Sequence, residues 1–217
     1  MSGMFRELRS DEIECRVKQC TAKGAMLLLY KDARCDMNIL DEAVGSMNWQ
    51  CSYSRDNANC TVSIYSDKLE DWVSKEDTGT ESNTEAEKGL ASDSFKRACF
   101  KWGIGRELYT APFIWIKAED CSKLKENNGK WQCFDKFTVR SINYSNGNIT
   151  YLAIEDEKHR LVFTYGQQEL TPRKMLVSYC EENNIDLAEV ASEYNLDKRS
   201  SDKKVLKVLE DLKNARQ

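Results

Sequence analysis

Histidine is nearly absent. His159 is the only one in 217 residues, and its setting, KHRLVFTYG, reads as the end of a strand. Ser-His-Asp or Cys-His chemistry needs an imidazole held beside a nucleophile, and a strand-end histidine offers no such base. C-x-x-C spacing is also missing. The nine cysteines, Cys15, Cys20, Cys35, Cys51, Cys60, Cys99, Cys121, Cys133 and Cys180, are odd in number and scattered. A disulfide framework or a structural zinc site calls for paired, close spacings, so the expectation is reduced, mostly buried thiols. No apolar run approaches the ~20 residues of a membrane span. The charged start, MSGMFRELRSDE, has no apolar stretch before a cleavage site. These two absences predict a cytoplasmic protein with no membrane partner. No G-x-x-x-x-G-K-[ST] occurs, which removes a P-loop ATPase. Gly103-Ile104-Gly105 lacks the third glycine and follows a helix pattern, which removes a dinucleotide site. The expectation is a protein that uses no cofactor and is not an enzyme.

What is present suits a packed domain. Hydrophobic residues make up 41% of the chain, with nine tyrosines and five tryptophans, enough for a core in a 25.0 kDa protein. The net charge of -4 speaks mildly against a nucleic-acid partner. Distribution decides that question, because acidic residues can cover an outer surface while a groove stays basic.

The pattern along the chain predicts an α+β fold. Residues 24–32, GAMLLLYKD, have strand length, and 36–45, DMNILDEAVG, have helical spacing with a glycine where the helix stops. Three strands follow at about 49–55, 60–66 and 71–76, the first two joined by the turn-rich DNAN. A long helix over 84–102 starts at Thr84 and Glu87, which resemble a capping box. It places Ala91, Phe95, Ala98 and Trp102 in one stripe. Strands at 136–145 and 148–154 flank Asn146-Gly147, a strong hairpin signal. A third at 160–165 completes a second small meander. After a linker at 168–170, Thr171-Pro172, Asp186 and Ser201 start three short helices, the last carrying Val205, Leu206, Leu209 and Leu212. Domain 1–168 is thus followed by a small helical module, 169–217.

On the long helix, Lys96, Arg97 and Lys101 fall away from the apolar stripe, where they could run beside a phosphate backbone. Spacing alone favours a solvated helix face, and Asp93 on the same side weakens the patch. The acidic pairs Asp41-Glu42 and Glu76-Asp77 could hold a metal for phosphodiester cleavage, although no third ligand stands at helical spacing.

Two segments carry a resemblance. LDEAVGSMNWQ (40–50) and GLASDSFKRACFKWGIGRELY (89–109) resemble the signature segments of the Rad-fifty-two-type annealing proteins. The bacterial and phage branch, including DNA-damage-response proteins, is nearest. The likeness spans about 12–109. It implies a β-β-β-α annealing core, a ring-like homo-oligomer, and single-stranded DNA held in a groove with its bases outward during recombination and repair. Carried over by position, Lys96 and Arg97 match a Lys-Arg pair that contacts phosphates. Arg34 matches an arginine on the neighbouring strand. Phe100 stands where a third basic residue is common, and the adjacent Lys101 takes its place. Arg55, closing the first strand of the meander, joins the DNA-binding set. The family's aromatic residue near 46–47 is missing, and Trp49 reads as core.

The resemblance implies single-strand binding and annealing without ATP. Two other readings stay open: a protection or recombinase-loading module that does not anneal, and a metal-dependent nuclease. The basic run 198–204 ahead of the last helix also suits docking of the acidic, apolar-ended tail of a single-strand-binding protein.

Overall fold

A computed structural model of the chain describes residues 4–80, 86–167, 171–197 and 199–215. Ile13, Cys15 and Val17 alternate with Glu14, Arg16 and Lys18, and this period of two forms β1 (Ile13–Thr21). The strand is not among those expected from the sequence, where charges at every second position mask its short apolar residues. It pairs antiparallel with β2 (Gly24–Lys31) from Ile13↔Lys31 to Thr21↔Gly24, with an irregularity between Val17 and Gln19.

Helix α1 (Ala33–Val44) begins three residues earlier than its apolar spacing predicts. Asp32 is the reason: its carboxylate accepts the Arg34 backbone N–H at 2.8 Å, which fixes the N-cap there. Gly45, at φ 84°, ends it. Strands β3 (Trp49–Ser54), β4 (Asn59–Ser66) and β5 (Asp71–Thr78) then form the expected three-stranded antiparallel meander.

Helix α2 (Ala86–Trp102) lies against β4 and β5. The capping box expected at Thr84 falls outside the described residues. Phe95, Ala98 and Cys99 are buried in one core with Cys60, Val62 and Ile64 from the meander. Trp102 donates its indole N–H to the Val62 carbonyl at 3.0 Å. Trp49 packs its ring 6.1 Å from Phe95 and donates to Asp41 at 2.7 Å.

A 3-10 turn at Arg106–Thr110 leads into β6 (Ile114–Lys117). A short hairpin of β7 (Leu124–Asn127) and β8 (Lys130–Cys133) follows, then β9 (Phe137–Ser145), β10 (Asn148–Asp156) and β11 (Leu161–Gly166). Asn146 and Gly147 both adopt positive φ, 51° and 74°, as a primed hairpin turn requires. The second meander is present but not separate. Its strands continue into the first hairpin, giving one six-stranded sheet ordered β11-β10-β9-β1-β2-β6. The hairpin β7–β8 and strand β6 were not legible in the sequence, being only four residues long each.

The chain divides into two compact units, Met1–Gln167 and Gln168–Gln217. In the second, α3 (Pro172–Glu182), α4 (Leu187–Glu193) and α5 (Asp202–Asn214) are capped by Thr171, Asp186 and Ser201. Their core is Leu176, Cys180, Val190, Val205, Val208 and Leu209. Leu206, expected on the buried face, is 44% exposed, while Val208, two residues on, is buried with Val205 and Leu209.

One ion pair lies where β2, α1 and the turn after α2 meet. Lys31, at the end of β2, binds Asp36, in the first turn of α1 and fully buried. Burial raises the Asp36 carboxyl to about 6 against the attraction of Lys31. Its Oδ2 has no hydrogen-bond partner among the described residues. Desolvation therefore outweighs attraction, yet removing one partner strands the other charge. Lys31→Met or Asp36→Asn alone should each cost about 3–5 kcal/mol, and Lys31→Met/Asp36→Leu should recover most of it, as urea denaturation would show. Between the ordinary carboxyl value of 3.8 and about 6, the folded chain keeps a proton that the unfolded chain has lost. This group's contribution should therefore decline as pH rises through that window, and the decline should vanish in Asp36→Asn.

Candidate nucleic-acid interface

Helix α2 presents three cations on the flank opposite its buried stripe, and β2 runs beside that flank. Between them and the stretch 105–114 lies a cleft of about 650 Å³. Lys31, Lys96, Arg97, Lys101 and Arg106 line it, with Asp77 and Asp93 as its acids. Lys96, Arg97 and Lys101, singled out in the sequence, are thus brought to one surface.

Each cation has its own degree of freedom. Lys96 is half-buried, and its charge helps to lower the Asp32 carboxyl and opposes the rise of Asp36. Arg97 and Lys101, one helical turn apart, both lean toward Asp77 on β5, at 3.9 and 3.7 Å. Both side chains are about half exposed, 47% and 52%. Exposed pairs of that kind are worth about 0.2–1 kcal/mol, so a phosphate can replace Asp77 at little cost. Asp93 is engaged elsewhere, accepting the Thr80 backbone N–H at 2.9 Å.

The end of α2 builds the rest of the cleft. Arg106 donates to the Phe100 and Lys101 carbonyls at 2.8 and 2.6 Å, and Lys75 donates to the Lys101 carbonyl at 3.1 Å. Two cations thereby meet the carbonyls that a helix leaves unpaired at its C-terminus. Gly105 makes the turn possible. Its φ is +75°, and a Cβ there would come within 2.2 Å of Lys31 Cε. Phe100, in the position where a third base was expected, pairs its ring with Tyr109 at 4.8 Å, under the Arg106 guanidinium at 5.5 Å. Tyr109 is 79% exposed, a platform suited to base stacking.

Two expected residues stand apart. Arg34 belongs to the first turn of α1, not to a strand, because the Asp32 cap starts the helix there. Its guanidinium pairs with Asp32 at 2.8 Å, and it does not line the cleft. Arg55 sits in the β3–β4 turn with φ 52°, past the end of the strand, and does not line the cleft either. Sequence reading missed Lys31, Arg106 and Tyr109. The signal for the last two was the GRELY that follows the helix-ending glycines.

The carboxylates considered for a metal are occupied by other groups. Asp41 accepts from Trp49, Glu42 from Arg6, Glu76 from Asn59 and Thr61, and Asp77 faces Arg97 and Lys101. None belongs to a three-ligand cluster among the described residues. Comparison with family models, curated proteins and solved structures returned no match for this chain.

If Asp77 restrains Arg97 and Lys101, its neutralisation releases them. Asp77→Asn should tighten binding of a labelled oligo-dT and steepen its salt dependence. Unaltered affinity and slope would mean that these cations do not face the ligand.

Proposed function

We propose that the chain binds single-stranded DNA in this cleft and anneals complementary strands without ATP, in recombination and DNA repair. The observation that carries the reading is the grouping of Lys96, Arg97, Lys101 and Arg106 along one cleft with the exposed Tyr109 at its side. The cations neutralise phosphates and release counterions. The groove holds the backbone, so base edges stay free and pairing supplies the specificity. Duplex formation is downhill by about 1.4 kcal/mol per base-pair step, which makes nucleotide hydrolysis unnecessary.

The order hairpin, α1, three-stranded meander, α2 supports assigning residues 13–102 to a β-β-β-α annealing core of the Rad-fifty-two type. A ring-like homo-oligomer goes with that assignment. In the three-stranded sheet, β3 and β5 each have one unpaired edge, and such edges suit contact with a neighbouring copy. A ring would multiply weak phosphate contacts through effective concentration.

Lys96→Ala/Arg97→Ala should weaken single-strand binding, reduce the salt slope by roughly one to two, and remove the acceleration of oligonucleotide annealing. Stability should be unaffected, since neither residue is in the core. Native mass measurement on the same sample should find a multimer of the 25.0 kDa chain. Strand protection without faster pairing would favour a mediator role, and divalent-dependent cleavage a nuclease.

The helical module is assigned to partner docking, to the acidic tail of a single-strand-binding protein. Lys203 and Leu206 are both exposed on α5, a cation beside an apolar side chain. Lys204 is less free, since it donates to the Asn195 carbonyl at 2.6 Å. Deleting 171–217 should spare annealing of naked strands and abolish it on strands coated by that protein. Equal loss of both activities would assign the module to the ring or the DNA cleft.

A further inference from the structure

Three cysteines that lie far apart in sequence converge beside the β7–β8 hairpin. The Cys121 and Cys133 thiols and a carboxylate oxygen of the buried Asp135 lie within 4.8 Å of one another. Cys20, on β1, adjoins them. Cys20 and Cys133 line one cleft between β1 and β8, and the Cys20 thiol stands just outside the three-atom cluster. The four side chains come from separate places: β1, the segment before β7, β8, and the residues just after it. Only Cys133 and Asp135 are close in sequence, and no C-x-x-C spacing announces the set.

We propose that Cys20, Cys121, Cys133 and Asp135 form a structural zinc site. A tetrahedral zinc, with Zn–S of about 2.3 Å and Zn–O of about 2.0–2.2 Å, sets its ligand atoms roughly 3.4–3.8 Å apart. Cys121, Cys133 and Asp135 are within about an ångström of that spacing, and the neighbouring Cys20 side chain would turn toward them to supply the fourth corner. The outer shell is in place as well. Asp135 accepts from the Ser122 backbone N–H at 3.1 Å, the Ser122 hydroxyl at 2.9 Å and the Lys123 N–H at 2.8 Å. These donors orient a ligating carboxylate and offset the negative charge that thiolates bring. The Cys133 thiol donates to Asp135 at 3.3 Å. On metal binding each of the three thiols releases its proton to solvent, and Zn²⁺ replaces that hydrogen bond with two coordinate bonds. No oxidant or reductant is required.

The hairpin itself supplies the physical need. No residue of β7 or β8 is buried, and only Leu124, Trp131 and Cys133 are even half-covered. A two-stranded ribbon of four residues a side is marginal alone. A metal joining β1 to the open end of the ribbon would fix it to the six-stranded sheet, as small modules without a core require. Thiolate-rich tetrahedral sites favour zinc over magnesium, calcium or manganese.

The test uses the full chain, purified under reducing conditions without chelator. Elemental analysis should find one zinc per chain, and Co²⁺ exchange should give the thiolate-to-cobalt charge-transfer and intense d–d bands of a tetrahedral sulfur site. Cys121→Ser/Cys133→Ser should lose metal and bands, Cys20→Ser should weaken and shift the bands, and Cys51→Ser should change neither. Chelator should lower the melting temperature of the wild type and leave that of the double variant unmoved. If the variants fail to fold, the wild-type cobalt spectrum and chelator response decide. Metal-free protein that takes up no Zn²⁺ from a chromophoric competitor and gives no cobalt bands overturns the site. A mass two hydrogens lighter, marking a Cys121–Cys133 disulfide in reduced buffer, overturns it too.

Discussion

A buried charge pair sits where the first unit is joined. Lys31 closes β2, Asp36 opens α1, and Gly105 begins the turn that leaves α2 directly over the Lys31 side chain. A lysine without its carboxylate there would be buried unpaired. A carboxylate without its lysine would be stranded in the same low-dielectric surroundings. The pair therefore dictates how β2, α1 and the end of α2 approach one another, even though burial makes it costly. The cleft inherits its shape from that junction, since β2 forms one wall and α2 the other.

Charge arrangement explains how a chain of net charge -4 presents a basic surface. Several acids of the first unit are committed to the fold. Asp32 caps α1, Asp93 holds Thr80, Asp41 takes the Trp49 indole N–H and Glu107 the Leu8 N–H. Lys96, Arg97 and Lys101 have no hydrogen bond to a carboxylate among the described residues closer than the loose contacts to Asp77. Composition counts these groups equally, whereas the fold uses up one sign more than the other. Net charge therefore says little about the local field.

Local chemistry made much of the fold legible. Gly45, Asn146-Gly147, Thr171-Pro172, Asp186 and Ser201 each act through backbone rules that need no tertiary context, and the elements they bound are where they were expected. The α2 stripe was legible for the same reason, because a helix repeats its face every few residues. What escaped was whatever depends on a distant partner. The start of α1 was misjudged because Asp32 reads as the end of a strand unless its cap bond to Arg34 is known. Arg34, matched by resemblance to an arginine on a strand, stands in the first turn of that helix instead. Arg106 and Tyr109 reach the cleft only because Gly105 turns the chain back over β2. The thiol cluster was hidden more deeply, since Cys121 meets Cys133 and Asp135 only when the β7–β8 hairpin closes, and Cys20 comes from β1 on the six-stranded sheet.

Asp77 bears on time as well as on strength. The cleft is not an empty positive trough, because it already contains an anion that belongs to the protein. In the proposed role an incoming phosphate would exchange with that carboxylate, and Asp77 would take its place again on departure, so Arg97 and Lys101 would keep a counter-charge throughout. Such an exchange would shorten residence at each contact. In the proposed role a strand so held could slip by one nucleotide after another until its bases find their register, which a tighter grip would prevent.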